Sequence, residues 1–111
     1  MCLSIDTKIK RLKNNAFVVD ITLEWNCMDE GGFIDRILGF WGIIIKKVII
    51  NGERVPISKG PIRIERRILP GEQHIITVEF EKPQQLKTTL VPKIVYRIGE
   101  DNMIAYLKLN V

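Results

Sequence analysis

The stretch FVVDITLEWNC, residues 17–27, decides the fold class, because its apolar residues occupy every second position. Phe17, Ile21 and Trp25 share one phase of the repeat, and from Asp20 onward the other phase is polar. A two-residue repeat places side chains alternately on the two faces of a pleated strand. We therefore predict a strand with one buried face that ends in a buried Trp25.

The composition favours sheet throughout the chain. The 111 residues include 19 Ile, 8 Val and 5 Thr but only 2 Ala. β-Branched side chains fit a pleated surface and are slightly disfavoured in helices. The length suits one domain, residues 1–111, whose core needs no metal or disulfide to be stable. Many Ile and Lys residues with only 3 Gln are also typical of a thermophile protein.

The remaining sequence divides into short alternating runs separated by turn signals. Asn51-Gly52 lies between two apolar runs and predicts a two-residue hairpin, which pairs Val48 with Val55. A four-residue loop, GEDN, before the final strand pairs Ile98 with Met103. Seven or eight strands at intervals of about ten residues are typical of an antiparallel β-sandwich.

Two features resemble the fibronectin type III and wider immunoglobulin-like superfamily. Trp25 comes late in the second predicted strand, where the fibronectin type III pattern has a core Trp. In LVPKIVYRI, the residues Leu90, Pro92 and Tyr96 have the spacing of that family's Leu-x-Pro-x-Thr-x-Tyr corner, with Ile94 in place of Thr. The resemblance implies an immunoglobulin-like sandwich.

The stretch ILPGEQHIITVEF, residues 68–80, is similar to a turn in the adhesion-type immunoglobulin-like modules of archaeal surface proteins. In those modules a Pro-Gly-Glu turn comes directly before a strand. This similarity also implies a fold. It implies no particular activity, because sandwiches of this kind have many unrelated functions.

The stretch GGFIDRILGFWGIII, residues 31–45, departs from the alternation. Its large apolar residues recur at helical spacing, with Asp35 and Arg36 on the opposite side. We therefore predict one short helical insertion near residues 33–41. The candidate interaction surface consists of six residues: Phe33, Ile34, Ile37, Leu38, Phe40 and Trp41.

Three roles for this segment stay open. It could cover the open end of the sandwich with its apolar face. It could be exposed and bind a protein, either a second copy of the chain or another member of an assembly. It could also insert into a membrane surface, with Arg36, Lys46 and Lys47 near anionic headgroups. A membrane partner is not expected, because acidic residues lie close by.

The net charge of +4 gives the chain a modest basic character. The possible basic patch comprises five residues: Lys46, Lys47, Arg63, Arg66 and Arg67. A nucleic-acid partner is less favoured than a protein partner, because Glu65 lies among the arginines and a solvated strand face explains the cluster.

The sequence contains no recognisable catalytic constellation. His74 is the single histidine, and its phase within the predicted strand points inward. Two cysteines and one histidine are not at the spacing of a zinc site. We therefore expect no catalytic residues, no metal and no cofactor.

The pairing of the first two strands bears on the cysteines. A tight turn in KNNA would place Cys2 opposite Cys27, but it would also place Lys8 beside Ile21. Sliding by one residue matches Ile9 with Ile21 and separates the cysteines. We therefore predict two free thiols, which favour an intracellular setting.

No apolar run has the length of a signal peptide core or of a membrane span, so we expect neither in this chain. The functional prediction is a non-enzymatic protein-binding or structural module. It would self-associate or belong to a filament, a virion or a multiprotein complex. The alternatives are a nucleic-acid-binding β domain that uses a basic strand face and a membrane-surface-docking module that uses residues 33–41.

Overall fold

The structure, a computed structural model, describes residues 1–40, 42–57, 59–83 and 89–111. These residues form antiparallel strands and no helix, and therefore no helix that could cross a membrane. The strands are β1 (Leu3–Lys13), β2 (Ala16–Trp25), β3 (Gly32–Leu38), β4 (Ile44–Ile50), β5 (Glu53–Val55), β6 (Ile62–Ile68), β7 (Gln73–Glu81), β8 (Thr89–Leu90), β9 (Lys93–Ile98), β10 (Asp101–Tyr106) and β11 (Leu109–Asn110).

The strands form two larger sheets and one small one. The five-stranded sheet has the order β1-β2-β7-β4-β5, the four-stranded sheet has the order β10-β9-β3-β6, and β11 pairs with β8. The buried faces of the larger sheets share one core, in which the rings of Trp25 on β2 and Tyr96 on β9 meet edge to face at 6.0 Å. The all-β, antiparallel prediction is confirmed, and the arrangement is compatible with a sandwich.

In the stretch FVVDITLEWNC, residues 17–25 belong to β2, as predicted. Val19, Ile21, Leu23 and Trp25 have no exposed surface, whereas Asp20 between them is exposed. β2 pairs with β1 on one side and β7 on the other, so its inward side chains lie at the centre of the five-stranded sheet. The clear alternation of a central strand therefore predicted both its structure and its buried face.

The two predicted hairpins have different outcomes. Asn51 and Gly52 have positive φ angles of 51° and 85°, and Val48 pairs with Val55 as predicted. In the last hairpin Met103 pairs with Tyr96 rather than with Ile98, so the predicted four-residue loop is wrong. A shift of two residues leaves every side chain on the same face, and for that reason the hydrophobic pattern does not distinguish the two registers.

The predicted helix is wrong, because residues 32–38 form β3. In the pairing of β3 with β9, Ile34 lies opposite Tyr96 and Arg36 lies opposite Val95, so Asp35 is the extra residue of a bulge. A bulge interrupts the two-residue alternation. Ile34 and Ile37, which are three residues apart, consequently both face the core, and this spacing imitates that of a helix.

The prediction of two free thiols is also wrong, because Cys2 and Cys27 form a disulfide with a Cα–Cα distance of 4.7 Å. Ile9 pairs with Val19, whereas the two predicted alternatives placed Lys8 or Ile9 opposite Ile21. The register shifts between Arg11 and Lys13, which leaves Leu12 as an extra residue. Both cysteines lie just beyond the paired ends of β1 and β2. The inference of an intracellular setting therefore loses its basis.

Candidate interaction face and sheet edge

The residues of the predicted interaction segment differ in how deeply they are buried. Ile34 and Ile37 are completely buried in the core. Phe33, Leu38 and Phe40 are half-buried, and the Phe40 ring lies 6.1 Å from the ring of Phe80 on β7. Trp41 lies outside the described residues. The role of this segment in binding another molecule stays a prediction.

Phe33 and Leu38 lie on the outer face of the four-stranded sheet, the face that points away from the core. Across the strands, Arg67, Phe33, Arg97 and Asn102 form one row of directly opposed residues. Residues of the same row point to the same side of a sheet. We define the outer face by these residues and the next rows: Phe33, Arg36, Leu38, Arg63, Arg67, Lys93, Val95, Arg97, Asn102, Ile104 and Tyr106.

Cations and aromatic rings are interleaved on the outer face. The Arg97 guanidinium lies 4.6 Å from the centre of the Phe33 ring, and the Lys93 ammonium lies 5.6 Å from the centre of the Tyr106 ring. Tyr106 itself is 62% exposed. A cation over a ring is attracted by the ring's quadrupole, so these contacts hold the charged groups above the sheet surface.

The positive charges of the outer face are only partly compensated. Arg36 forms an ion pair with Asp35, and Arg63 forms one of 3.2 Å with Glu65. Among the described residues, no carboxylate lies within 4.0 Å of Arg67, Lys93 or Arg97. Arg36 also lies directly opposite Arg63. Like charges opposite one another destabilise a sheet, and the two ion pairs offset part of this repulsion.

The outer face of the five-stranded sheet is different. Lys8 lies opposite Asp20, and Lys47 lies opposite Glu79. Lys46 lies 3.9 Å from the carboxylate of Glu81. These three lysines therefore have acidic neighbours, whereas Lys10 and Lys13 lie opposite Val18 and Ala16.

The structure consequently separates the basic patch predicted from sequence. Lys46 and Lys47 belong to β4, whereas Arg63, Arg66 and Arg67 belong to β6 of the other sheet. Arg66 is half-buried and donates a hydrogen bond to the Ile64 carbonyl.

Sequence reasoning missed Arg36, Lys93 and Arg97 as members of a basic face. The alternation of KIVYRI already places Lys93 and Arg97 outward, but only the order of the strands brings them beside β6. Long-range pairing of this kind has no local sequence signal.

Three of the four edges of the larger sheets have features that discourage pairing with another chain. β1 has charged side chains, including Lys8 and Lys10, and β5 is three residues long and is followed by Pro56. β6 has three arginines and an irregular position at Glu65, whose φ is 49°. Natural proteins protect sheet edges by these means.

The edge formed by β10 lacks such features. After Asp101 the strand continues as NMIAY, which contains neither a charged residue nor a proline. Met103, Ile104 and Tyr106 are 38%, 54% and 62% exposed. Among the described residues, β10 pairs with β9 alone. An uncharged, apolar free edge is a template for another strand.

A second apolar surface lies between β4 and β6. A cavity of about 400 Å³ is lined by residues that include Leu38, Phe40, Ile44, Ile57 and Pro61. Lys59 is the only ionisable residue among its described lining residues. The chemistry that this cavity offers is therefore apolar burial.

Both ring nitrogens of His74 form hydrogen bonds that connect parts of the fold. Its Nδ1 lies 2.8 Å from Nδ2 of Asn51, and its Nε2 lies 2.7 Å from the carbonyl oxygen of Arg67. An amide nitrogen donates and a carbonyl accepts, so the ring carries its proton on Nε2 and both nitrogens are used. His74 thus connects the β4–β5 turn to β6, with no nitrogen left to act as a base.

The described residues contain no group of three or more His, Cys, Asp or Glu side chains that could hold a metal ion. No protein-family model matches the sequence, and no curated protein matches it either. The outer face of the four-stranded sheet and the free edge of β10 are therefore the candidate functional surfaces.

Proposed function

We propose that this chain is a non-enzymatic interaction module with an immunoglobulin-like fold, and that it associates with a second copy of itself through the free edge of β10. The observation that carries the proposal is the contrast between β10 and the three protected edges. The same pairing could build a larger assembly if a further surface of each copy also took part.

The order of the strands supports the immunoglobulin-like part. In that fold the strands A, B, E and D form one sheet, and C, F and G form the other. Here β1, β2, β7 and β4 are adjacent in the positions of A, B, E and D, and β3, β9 and β10 are adjacent in those of C, F and G. β5 and β6 extend the two sheets and come between D and E in the chain. The disulfide joins the first two strands, whereas antibody domains link the two sheets.

Pairing of β10 with its copy is self-complementary. A two-fold axis perpendicular to the sheet makes the two strands antiparallel, and opposed residues then point to the same side of the sheet. A register centred on Ile104 places Asn102 of one copy opposite Tyr106 of the other. The two Asp101 carboxylates are then at opposite ends of the pair and do not repel strongly. The pairing extends each four-stranded sheet to eight strands.

The interface would be small, since it consists of one six-residue strand and the side chains beside it. Small interfaces are characteristic of weak or transient association. We therefore expect a dissociation constant on the order of micromolar rather than an obligate dimer.

Sedimentation equilibrium of the full chain over a range of concentrations tests the proposal. The wild type should be a reversible dimer, and Ile104→Lys should weaken dimerisation at least about ten-fold, because it places two like charges near the axis. Ile75→Lys is the matched control, since Ile75 is 44% exposed on the central strand β7. A wild type that stays monomeric at about 100 times the expected dissociation constant would refute self-association.

A further inference from the structure

We propose that the outer face of the four-stranded sheet binds single-stranded nucleic acid. This inference does not depend on pairing of β10, because the side chains of the outer face point away from the sheet rather than along its edge. It uses a set of residues that strand order assembles and that differs from the basic patch predicted from sequence.

Positive charge is localised on the outer face. Arg36, Arg63, Arg67, Lys93 and Arg97 all lie on the outer face, and only Asp35 and Glu65 form ion pairs with them. The Arg63–Glu65 pair is exposed, whereas the Arg36–Asp35 pair is only partly exposed. Exposed pairs contribute at most about 1 kcal/mol, so the Arg63–Glu65 pair yields easily to a phosphate. The five-stranded sheet has no comparable surplus.

Most cations of the outer face are guanidinium groups. Four of these five residues are arginines. The guanidinium group presents a planar fork of donors that matches the oxygens of a phosphate, and it is more weakly hydrated than an ammonium group. Adjacent strands are about 4.8 Å apart, so Arg67 and Arg97, on either side of Phe33, lie about 10 Å apart at their Cα atoms. They can therefore contact separate phosphates of one strand.

The aromatic content of the outer face favours a nucleic acid over an acidic peptide. Tyr106 is exposed on this face, and its ring can stack on a base. The Arg97 guanidinium lies over the Phe33 ring and offers a second planar surface, since bases also stack on arginine. An acidic peptide would use the charges but would gain nothing specific from these planes.

A depression beside Phe33 marks one end of the site. It has a volume of about 440 Å³, and its lining includes Arg67, Arg97 and the two adjacent glycines at the start of β3, Gly31 and Gly32. Glu30 also lines it, Glu100 lies in the neighbouring β9–β10 turn, and Asp101 begins β10. These carboxylates repel phosphate, so the strand is expected to run from the depression toward Lys93 and Tyr106, away from the turn.

The test is fluorescence anisotropy with a labelled oligodeoxythymidylate of about 20 nucleotides, titrated with the full chain from about 50 to 200 mM NaCl. Binding should weaken steeply with salt. Arg67→Gln combined with Arg97→Gln should weaken binding at least ten-fold and lower the slope of log K against log salt by about 1.4, because two phosphate contacts are lost. Tyr106→Ala should weaken it about five-fold or more.

The matched control is Lys10→Gln combined with Arg54→Gln, which removes the same charge from exposed positions of the five-stranded sheet. Its affinity should stay within about two-fold of the wild type. Circular dichroism of every variant establishes that it is folded.

Several results would overturn the proposal. They are an absence of binding at the lowest salt concentration, an equal loss in the control variant, and an unchanged affinity in Tyr106→Ala. Competition by polyglutamate as effective as that by unlabelled oligonucleotide would assign the face to acidic peptides instead. None of these results bears on dimerisation, so the two proposals fail separately.

Discussion

The indole ring of Trp25 lies against the backbone of Gly32, where any other residue would have its β-carbon. A Cβ built on Gly32 would be only 2.7 Å from Cζ3 and 2.8 Å from Cζ2 of Trp25. β2 and β3 belong to different sheets, so this contact joins the two layers. The close approach also allows the indole nitrogen to donate a hydrogen bond of 2.7 Å to the Glu30 carbonyl.

Gly32→Ala should therefore destabilise the protein by about 1–3 kcal/mol, the usual range for overpacking a core. The ring is fully buried and has no room to move away. Urea unfolding followed by Trp fluorescence measures the change. The same substitution in a Trp25→Phe background is the control, because the smaller ring lacks the indole atoms that approach Gly32. An equal loss from Gly32→Ala in both backgrounds would contradict a role for the Trp25 contact.

The disulfide closes a loop of 25 residues, so it restricts the unfolded chain. Replacing both Cys2 and Cys27 by Ser should lower the free energy of unfolding by about 3 kcal/mol, according to the chain-entropy estimate for such a loop. Urea unfolding of the oxidised protein and the double variant measures the difference. A thiol assay in denaturant should find no free thiol before reduction and two after it. Two titratable thiols in the unreduced protein would disprove the bond.

Asn51 stabilises the β4–β5 turn through its side chain. Its amide nitrogen bonds His74, and its carbonyl oxygen accepts a hydrogen bond of 2.8 Å from the Ile75 amide. Asn51→Gly keeps the positive φ available but removes both bonds, so it should cost about 1–2 kcal/mol. Asn14→Gly is the control. Asn14 also has a positive φ, of 47°, but its backbone carbonyl, not its side chain, accepts the hydrogen bond from Arg11. Similar losses in both variants in thermal unfolding would argue against the side-chain bonds.

Burial raises the pKa of the Tyr96 hydroxyl above its ordinary value. The folded protein therefore holds this proton at a pH where the unfolded chain has released it. Stability should be unaffected below about pH 10, the ordinary pKa of tyrosine, and should fall as the pH rises further. Tyr96→Phe should show a smaller loss over the same range. Chemical unfolding at several alkaline pH values compares the two proteins, and parallel curves would contradict the prediction.

The spacing of apolar residues and the turn residues of the sequence predicted the elements that depend on neighbouring residues alone. The alternation of residues 17–27 identified β2 and its buried face, and Asn51-Gly52 identified a hairpin because few residue pairs tolerate two positive φ angles. The bulge at Asp35 defeated the same reasoning, since one inserted residue gave Ile34 and Ile37 a helical spacing.

The candidate sites depended on pairing between distant strands, which the sequence does not encode locally. Lys93 and Arg97 become neighbours of Arg36 and Arg67 only because β3 lies between β9 and β6. Cys2 and Cys27 form their bond one residue away from direct opposition, because the shift near Arg11 places Leu3 opposite Trp25, a register that matching apolar residues did not single out. The free edge of β10 likewise becomes evident only when every other edge is known.

The position of the disulfide has a consequence for how this chain could be re-engineered. The bond lies at the open end of the β1–β2 hairpin, and the turn at Asn14 and Asn15 lies at the other end. Residues 2–27 therefore form a covalently closed ring. A protease cut within that turn would leave both strands attached to the rest of the molecule, so the turn is a suitable place for a grafted peptide or a new pair of chain ends.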